Sequence, residues 1–360
     1  MSINRQELRR GTKRLALKII NTYKIHYRKK DWLEFASQNT KNTWLSDEQK
    51  QKVDEFYKPY GKKIHYVFHA FYLEKTGIFS EKLLPEDFYF SYVDPYFNNW
   101  DRAKTFDNKC FYPLYFSGIN MPETVGKRIN GLWFDSNMSL LTPKQIYSRA
   151  TSENAIFIKA ATESYGGHGV FYYEKNDGDK KFLDIVSQID GDVVLQKPII
   201  QHDRLMRLNP SSVNSTRVIS LLSSNGVKVY SCVLRMGING AKVDNSSSGG
   251  ICCGINNDGT LKKYGYTGNG LAMDCHPDTK QKFEGYVIPG YQAIIAAIQK
   301  LHCQIPHFRL ISWDFSVDKD CNPILIEANL SCGGIKVHQL TNGPIFGDDT
   351  TAILNEVFGI

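Results

Sequence analysis

Asp314, Glu327 and Asn329 are the residues whose types and spacing most plainly suggest chemistry. They lie in WDFSVDKDCNPILIEAN, residues 313–329 of a 360-residue chain. Trp313, Phe315 and Val317 alternate with Asp314 and Ser316, and Ile324, Ile326 and Ala328 alternate with Leu325, Glu327 and Asn329. Asp318, Asp320, Asn322 and Pro323 supply turn chemistry between the two runs. A hairpin centred between Asp320 and Cys321 sets Asp314 opposite Glu327 and Val317 opposite Ile324. Directly opposed residues share a face. Asp314, Glu327 and Asn329 then project from one side, and Trp313, Phe315, Ile324 and Ile326 from the other. Two carboxylates that close repel unless a cation lies between them, and Mg²⁺ favours one or two carboxylates together with substrate phosphates. A solvent-facing hairpin with ordinary acids explains the same letters, so the remaining chemistry must discriminate.

Phosphate chemistry is written upstream. AIFIKA, residues 155–160, reads as a strand with Lys159 at its end. Gly166, Gly167 and Gly169 follow in a loop that leads to a second strand, VFYYE. Glycines let backbone N–H groups close over an anion, and an ammonium adds a point charge. The lysine precedes the glycines and no GK[ST] follows, so this is not a P-loop; a plain glycine-rich turn is the competing reading. The strand VVLQ, residues 193–196, ends before Pro198. The backbone of Gln196, Lys197 and Ile199 offers donors and acceptors to the edge of a heterocycle. Arg217 and Arg235 lie on a hairpin around Asn225-Gly226. Pairing 217 with 234 puts the arginines on opposite faces, and pairing 217 with 235 puts them together; both registers fit the sequence. Arginine suits bidentate contact with carboxylate or phosphate, although surface ion pairing is its common fate in strands.

Several elements must position these groups. Ser46 to Gln49 forms a capping box opening a helix to about Tyr57. Residues 31–120 are aromatic, and CFYPLYF reads as packed irregular structure. His65 and His69 lie one helical turn apart without an acidic or cysteine partner at matching spacing, which favours packed histidines over a metal pair. Thr142-Pro143 caps a short helix, a second helix covers 182–188, a third covers 286–301, and a last one covers 350–357. Residues 244–250 form a polar, glycine-rich loop. The divisions expected are 1–30, 31–120, 121–200 and 201–360.

Bulk properties narrow the class. Hydrophobic content of 42% supports a substantial core and excludes a mainly disordered chain. No apolar run reaches the roughly 18 residues of a membrane-spanning helix, and no leader-like apolar segment opens the chain. Eight cysteines without CxxC spacing read as reduced thiols, which points to the cytoplasm. Residues 1–30 hold ten Lys/Arg against one acid, Glu7, so this segment carries +9 of a chain total of +7 and the other 330 residues carry −2. Leu15, Ile19, Tyr23 and Tyr27 recur every four residues there, giving a basic amphipathic helix. It suits docking on the body, or contact with an anionic membrane surface on the cytoplasmic side or with an acidic partner. Nucleic acid is disfavoured, since the body shows no basic surface signal.

Taken in order, FIKAATESYGGHGV, VLQKPI and WDF followed by LIEAN resemble the ATP-grasp superfamily. VNSTRVISL, LRMGINGAKVDNSSSGGI, HPDTKQKFEGYVIPGY and ISWDFSVD followed by NPILIEANL are similar to its sugar-transfer associated, alpha-L-glutamate ligase-related family. The resemblance implies an α+β fold, with two subdomains of antiparallel sheet enclosing ATP and an aromatic, mainly helical region ahead of them. It implies that Lys159 binds the α/β-phosphates and that Gly166, Gly167 and Gly169 fold over them. Gln196, Lys197 and Ile199 would line the adenine edge. Asp314, Glu327 and Asn329 would hold Mg²⁺, in two ions. Arg217 would contact the γ-phosphate and an acyl-phosphate, with Arg235 as its companion, and Lys127 or Arg128 would be a second phosphate cation. The activity implied is ATP-dependent ligation of a carboxylate, such as a uronic acid, to an amine or amino acid in surface-polysaccharide assembly. A phosphotransferase acting on a hydroxyl, and a non-catalytic scaffold binding glycosyltransferases or membrane through residues 1–30, are the rival readings.

Overall fold

The computed structural model describes residues 30–162, 169–244, 249–331 and 333–360. The basic helix expected in residues 1–30 lies outside them, save its last residue. The chain divides into two compact units, Met1–Tyr96 with Gly347–Ile360, and Phe97–Phe346. The break between the units falls between residues 96 and 97, and the helix Thr350–Phe358 belongs to the first unit.

The first unit is helical and aromatic. Ser46 and Gln49 cap the helix Asp47–Tyr57 reciprocally, as the sequence predicts. Tyr57, Phe71, Tyr72, Phe88 and Tyr89 are buried together, with Tyr57 edge-on to Phe88 at 5.1 Å between ring centroids. The Tyr72 hydroxyl donates to the buried Glu86 carboxylate at 2.6 Å, which satisfies an acid that burial would otherwise penalise. His69 is buried and held neutral, its pKa lowered to about 4 by burial, while His65 is exposed.

The second unit holds two antiparallel sheets. The first contains β1 Thr124–Ile129, β2 Leu132–Phe134, β3 Leu140–Leu141, β4 Ala155–Ala160, β5 Val170–Glu174 and β6 Val193–Gln196, in the order β3-β2-β1-β6-β4-β5. The helices Pro143–Ser152 and Asp179–Gln188 supply Ala150, Phe182 and Ile185 to a core with Ile156, Ile158 and Leu195. The second contains β7 Ser215–Ser223, β8 Gly226–Met236, β9 Ile251–Ile255, β10 Leu261–Thr267, β11 Ala272–Met273, β12 Leu310–Val317 and β13 Pro323–Asn329, in the order β11-β10-β9-β8-β7-β12-β13. The helix Tyr291–Leu301 lays Ile294, Ile298 and Leu301 against this sheet's apolar side, with Trp313, Phe315, Leu325 and Ala328. That helix begins at Tyr291, not at 286, because Gly290 adopts φ +67 and passes the Cys321 carbonyl so closely that a Cβ would sit 2.6 Å from it.

Two registers bear on the chemistry. Asp314 pairs with Glu327, as expected, but Val317 pairs with Pro323 rather than Ile324. A bulge between Asp314 and Phe315 takes up the extra residue, Ile326, on β13. Phe315 therefore faces Leu325, which is fully buried, while Ile324 and Ile326 leave the core face assigned to them from alternation. On the neighbouring hairpin the turn is Ser224-Asn225, with Ser223 opposite Gly226. An irregularity between Ile219 and Ser220 then sets Arg217 opposite Val233 and Ser215 opposite Arg235. Neither expected pairing occurs, yet both arginines reach one face.

Candidate active site

One face of the second sheet carries a lateral row: Val233 on β8, Arg217 on β7, Asp314 on β12 and Glu327 on β13. Paired residues across strands share a face, so the sheet itself sets this arginine beside these acids. Arg217 grips Asp314 with two bonds, Nε to Oδ1 at 2.7 Å and Nη2 to Oδ2 at 2.5 Å. Arg235 adds a third from Nη1 to Oδ2 at 3.0 Å, and its Nη2 lies 3.3 Å from Asp244 Oδ1. Asp314 and Arg235 are buried. Burial alone would raise the Asp314 pKa; the two guanidinium groups outweigh it and hold the carboxyl at about 2. Burial disfavours the Arg235 charge too, but Asp244 and Asp314 more than restore it. Asp244 also accepts from the Ser215 backbone N–H at 3.1 Å and from its hydroxyl.

The opposite wall comes from the first sheet and from a short turn. Lys159, at the end of β4, donates to Gln196 Oε1 at 3.0 Å. Burial and the nearby Lys109 ammonium lower its pKa to about 8. Lys109 sits in the turn Lys109–Phe111, fixed by its backbone N–H to the Ala161 carbonyl at 3.0 Å, and its Nζ meets Glu327 Oε1 at 2.8 Å. Burial opposes that charge, but Glu327 and Asp107 keep its pKa above the ordinary value. Lys109, Lys159, Arg235, Asp244, Asp314 and Glu327 line a single cleft. Pro122, Phe157, Val170, Ile199, Val213 and Ile326 add apolar surface to the same lining. The bulge that displaces Ile326 from the core face thus supplies a wall of the cleft.

Other expected residues distribute as follows. Gly169 adopts φ +73, and a Cβ there would come within 2.9 Å of the Ala160 Cβ, so glycine is required at this turn. Gly166 and Gly167 lie outside the described residues. Lys197 and Ile199 line the cleft just past β6, with the Lys197 ammonium bridging Glu123 and Glu153. Asn329 shares the Glu327 face and donates to the Ser312 carbonyl at 2.9 Å. Lys127 and Lys159 flank Val194 from either side on one sheet face, but the Lys127 ammonium rests 3.5 Å from the Ser136 carbonyl and is not among the groups lining the cleft. Arg128 turns to the opposite face and caps the carbonyls of Val186, Ile189 and Gly191. Lys109, which sequence reasoning passed over, holds the place beside the carboxylates. Its signal was a lysine before the uncharged, aromatic-rich run CFYPLYF, a charge that packing would bury and that therefore needs a partner.

No group of three or more His, Cys, Asp or Glu side chains among the described residues could cage a metal. Asp314 and Glu327 are nevertheless opposed hard-oxygen donors beside Asn329, which fits an ion whose remaining ligands are phosphate oxygens and water. Asp314 already accepts three N–H bonds of the roughly four sites a carboxylate offers, so an ion arriving alone must compete with both arginines.

No curated protein matches the sequence. Among solved structures, the chain is similar to an L-amino acid ligase from Bacillus licheniformis, with 14% identity and a TM-score of 0.39 over 73% of this chain and 48% of that one. It is similar to D-alanyl-alanine synthetase A from Vibrio cholerae, with 11% identity and a TM-score of 0.41 over 70% and 64%. It is also similar to a carboxyaminoimidazole ribonucleotide synthase from Aspergillus clavatus complexed with ATP, with 15% identity and a TM-score of 0.42 over 72% and 53%. The chain spans about half the length of the first of these structural relatives. Residues 90–353 match the model of the sugar-transfer associated ATP-grasp family, and together with the paired antiparallel sheets this shows that the chain belongs to that family.

Proposed function

We propose that the chain is an ATP-dependent carboxylate–amine ligase that works through an acyl-phosphate, with a sugar-linked carboxylate such as a uronic acid as one substrate. The observation that carries the reading is one cleft lined by both apolar and charged side chains, in which Arg235, Lys109 and Lys159 gather with Asp314 and Glu327. The apolar lining near Ile199 suits the adenine ring, beside the Gln196–Ile199 backbone. Lys159 and Lys109 suit the phosphates, Lys109 taking the role first expected of Lys127. Asp314, Glu327 and Asn329 would hold Mg²⁺ with the nucleotide, and such an ion supplies charge neutralisation at phosphoryl oxygens.

The chain's own residues then position and stabilise. A carboxylate oxygen attacks the γ-phosphorus, the bond to the bridging oxygen breaks, and ADP leaves. Charge develops on the phosphoryl oxygens, where Arg217 and Arg235 stand ready once they release Asp314. An amine nitrogen next attacks the acyl carbon, the C–O bond to phosphate breaks, and the nitrogen loses a proton. This scheme asks nothing of a serine or cysteine nucleophile. No helix among the described residues is long and apolar enough to cross a membrane; a cytoplasmic protein touching the inner membrane face through residues 1–30 fits the charge pattern.

The test is ADP release across pairs of carboxylates and amines, with Lys159→Ala and Glu327→Ala as controls. Release that needs both co-substrates and is lost in the controls supports the ligase. Release with a single alcohol, yielding a phosphate ester, would replace it with a phosphotransferase. Biological activity intact in Asp314→Ala and Glu327→Ala would point to a scaffold.

A further inference from the structure

Beside the arginine–carboxylate row, on the same sheet face and two residues along each strand, runs a second row: Ser231, Ile219, Ser312 and Asn329. Three buried polar atoms on or beside it have no hydrogen-bond partner among the described residues: Ser312 Oγ, His338 Nε2 and, turned toward Gly254, Asn342 Oδ1. Buried polar groups are nearly always paired, so each such exception asks for an occupant. The segment after β13 passes directly over this row: a Cβ on Gly333 would sit 2.9 Å from the Ser312 Cβ. His338 follows on the helix Lys336–Asn342, which packs on β8, β9 and β10.

The proton on His338 can be located. Asn342 Nδ2 lies 3.0 Å from the Cys232 carbonyl, which only accepts, so that atom is the amide nitrogen. The same nitrogen donates to Ser231 Oγ at 2.8 Å. Ser231 Oγ keeps a second lone pair, but its buried O–H meets no acceptor among the described residues other than His338 Nδ1, 2.8 Å away. The ring proton therefore sits on Nε2, and the unpartnered atom is a donor. Burial disfavours the doubly protonated ring, and the Arg217 and Arg235 charges add to that effect, so the imidazole stays neutral with a fixed tautomer.

Resting on the ligase reading, we infer that the row Ser231–Ile219–Ser312–Asn329 is the seat of the acyl-donating carboxylate, which accepts hydrogen bonds from His338 Nε2 and Ser312 Oγ while Arg217 faces its reacting oxygen. The chemistry selects an anion. A neutral imidazole N–H, a hydroxyl and a guanidinium donate, and an ammonium co-substrate would meet repulsion from both arginines. The seat lies one row from Arg217 and Asp314, about two residues or 6.6–6.8 Å along the strand, close to where the γ-phosphorus must be attacked. His338 acts here as a substrate-positioning donor.

The test uses the full chain with ¹⁵N-labelled histidine, Mg²⁺ and the non-hydrolysable β,γ-imido analogue of ATP, titrated with acetate, glutamate and glucuronate. His338→Gln assigns the signal. The expected result is a protonated Nε2 whose proton resonance moves downfield with at least one of these carboxylates. His338→Phe and Ser312→Ala should then weaken that carboxylate roughly 10- to 100-fold, as loss of a hydrogen bond to a charged group does, with nucleotide affinity unchanged. His338→Gln, whose amide N–H can stand in for Nε2–H, should restore much of the binding. A proton on Nδ1, a ring that ignores all three carboxylates, or variants that lose nucleotide and carboxylate affinity in equal proportion would overturn the inference. Carboxylate binding at His338 without ADP release for any amine would instead sink the ligase reading and leave the seat standing.

Discussion

Asp314 shows how a single buried acid can be both a liability and a tool. Its charge is tolerated because Arg217 and Arg235 surround it. Removing Arg217 would leave a buried charge short of its best partner, and breaking such a pair costs about 3–5 kcal/mol. Arg217→Ala should therefore lower the melting temperature and cut ADP release by about 10²- to 10³-fold; Arg217→Lys should regain stability but little activity, because the fork is lost. Lys109 and Lys127 offer a sharper comparison. Lys109→Ala should weaken nucleotide binding at least tenfold, whereas Lys127→Ala should change it by less than about twofold, read by titration of a fluorescent nucleotide. Lys159 adds pH dependence. Its pKa is lowered to about 8 in the folded chain, so the ammonium is lost as pH rises through 8. Nucleotide affinity should fall over that range, and Lys159→Arg should flatten the profile. Stability responds in the opposite sense, since the unfolded chain binds the proton more tightly and its penalty disappears between about pH 8 and 10.5.

At the scale of elements, the glycine turn after β4 and the hairpin of β12 and β13 differ in how much of them could be read in advance. Gly169→Ala forces a Cβ into positive φ and against Ala160; it should cost about 1–2 kcal/mol, seen as a lower denaturation midpoint with an unchanged slope. The pairing of Asp314 with Glu327 was legible because turn residues marked the hairpin's centre. Its bulge was not, because Ile324, Leu325 and Ile326 form an unbroken apolar run in which alternation sets no preference. The Arg217 and Arg235 face was undecidable for a related reason: an irregularity in mid-hairpin erases the register set at the turn. The capping box at Ser46 and the cap at Thr142-Pro143 read correctly, because their hydrogen bonds close within four residues. Lys109 was invisible for the converse reason, since its partner Glu327 is over two hundred residues away.

For the whole molecule, the fold places the cleft between two sheets of one compact unit. Mg²⁺ alone should barely shift the melting temperature, while Mg·ADP at about 100 times its dissociation constant should add about 2.7 kcal/mol. On acidification, Asp314 contributes stability above its unfolded value near 3.8 and loses it as pH falls toward 2. Acid unfolding should therefore become less steep below pH 4 in a variant that removes this carboxylate together with Arg217.

Most cations in and beside the cleft already face a carboxylate: Arg217 and Arg235 meet Asp314, Lys109 meets Glu327 and Lys197 meets Glu123 and Glu153, while Lys159 leans on the neutral Gln196 amide and Lys242 lies over the Tyr172 ring. A consequence follows for the speed of encounter. Charges neutralised at contact distance project little field beyond the roughly 8–10 Å over which salt screens. Only Lys159 and Lys242 are left to draw a tetraanionic nucleotide in from afar, and its association rate should vary less with ionic strength than in fully steered encounters. Stopped-flow binding from low to moderate salt should show that shallower profile. The response should steepen in Glu327→Gln, where Lys109 loses its counter-charge and its field reaches the solvent.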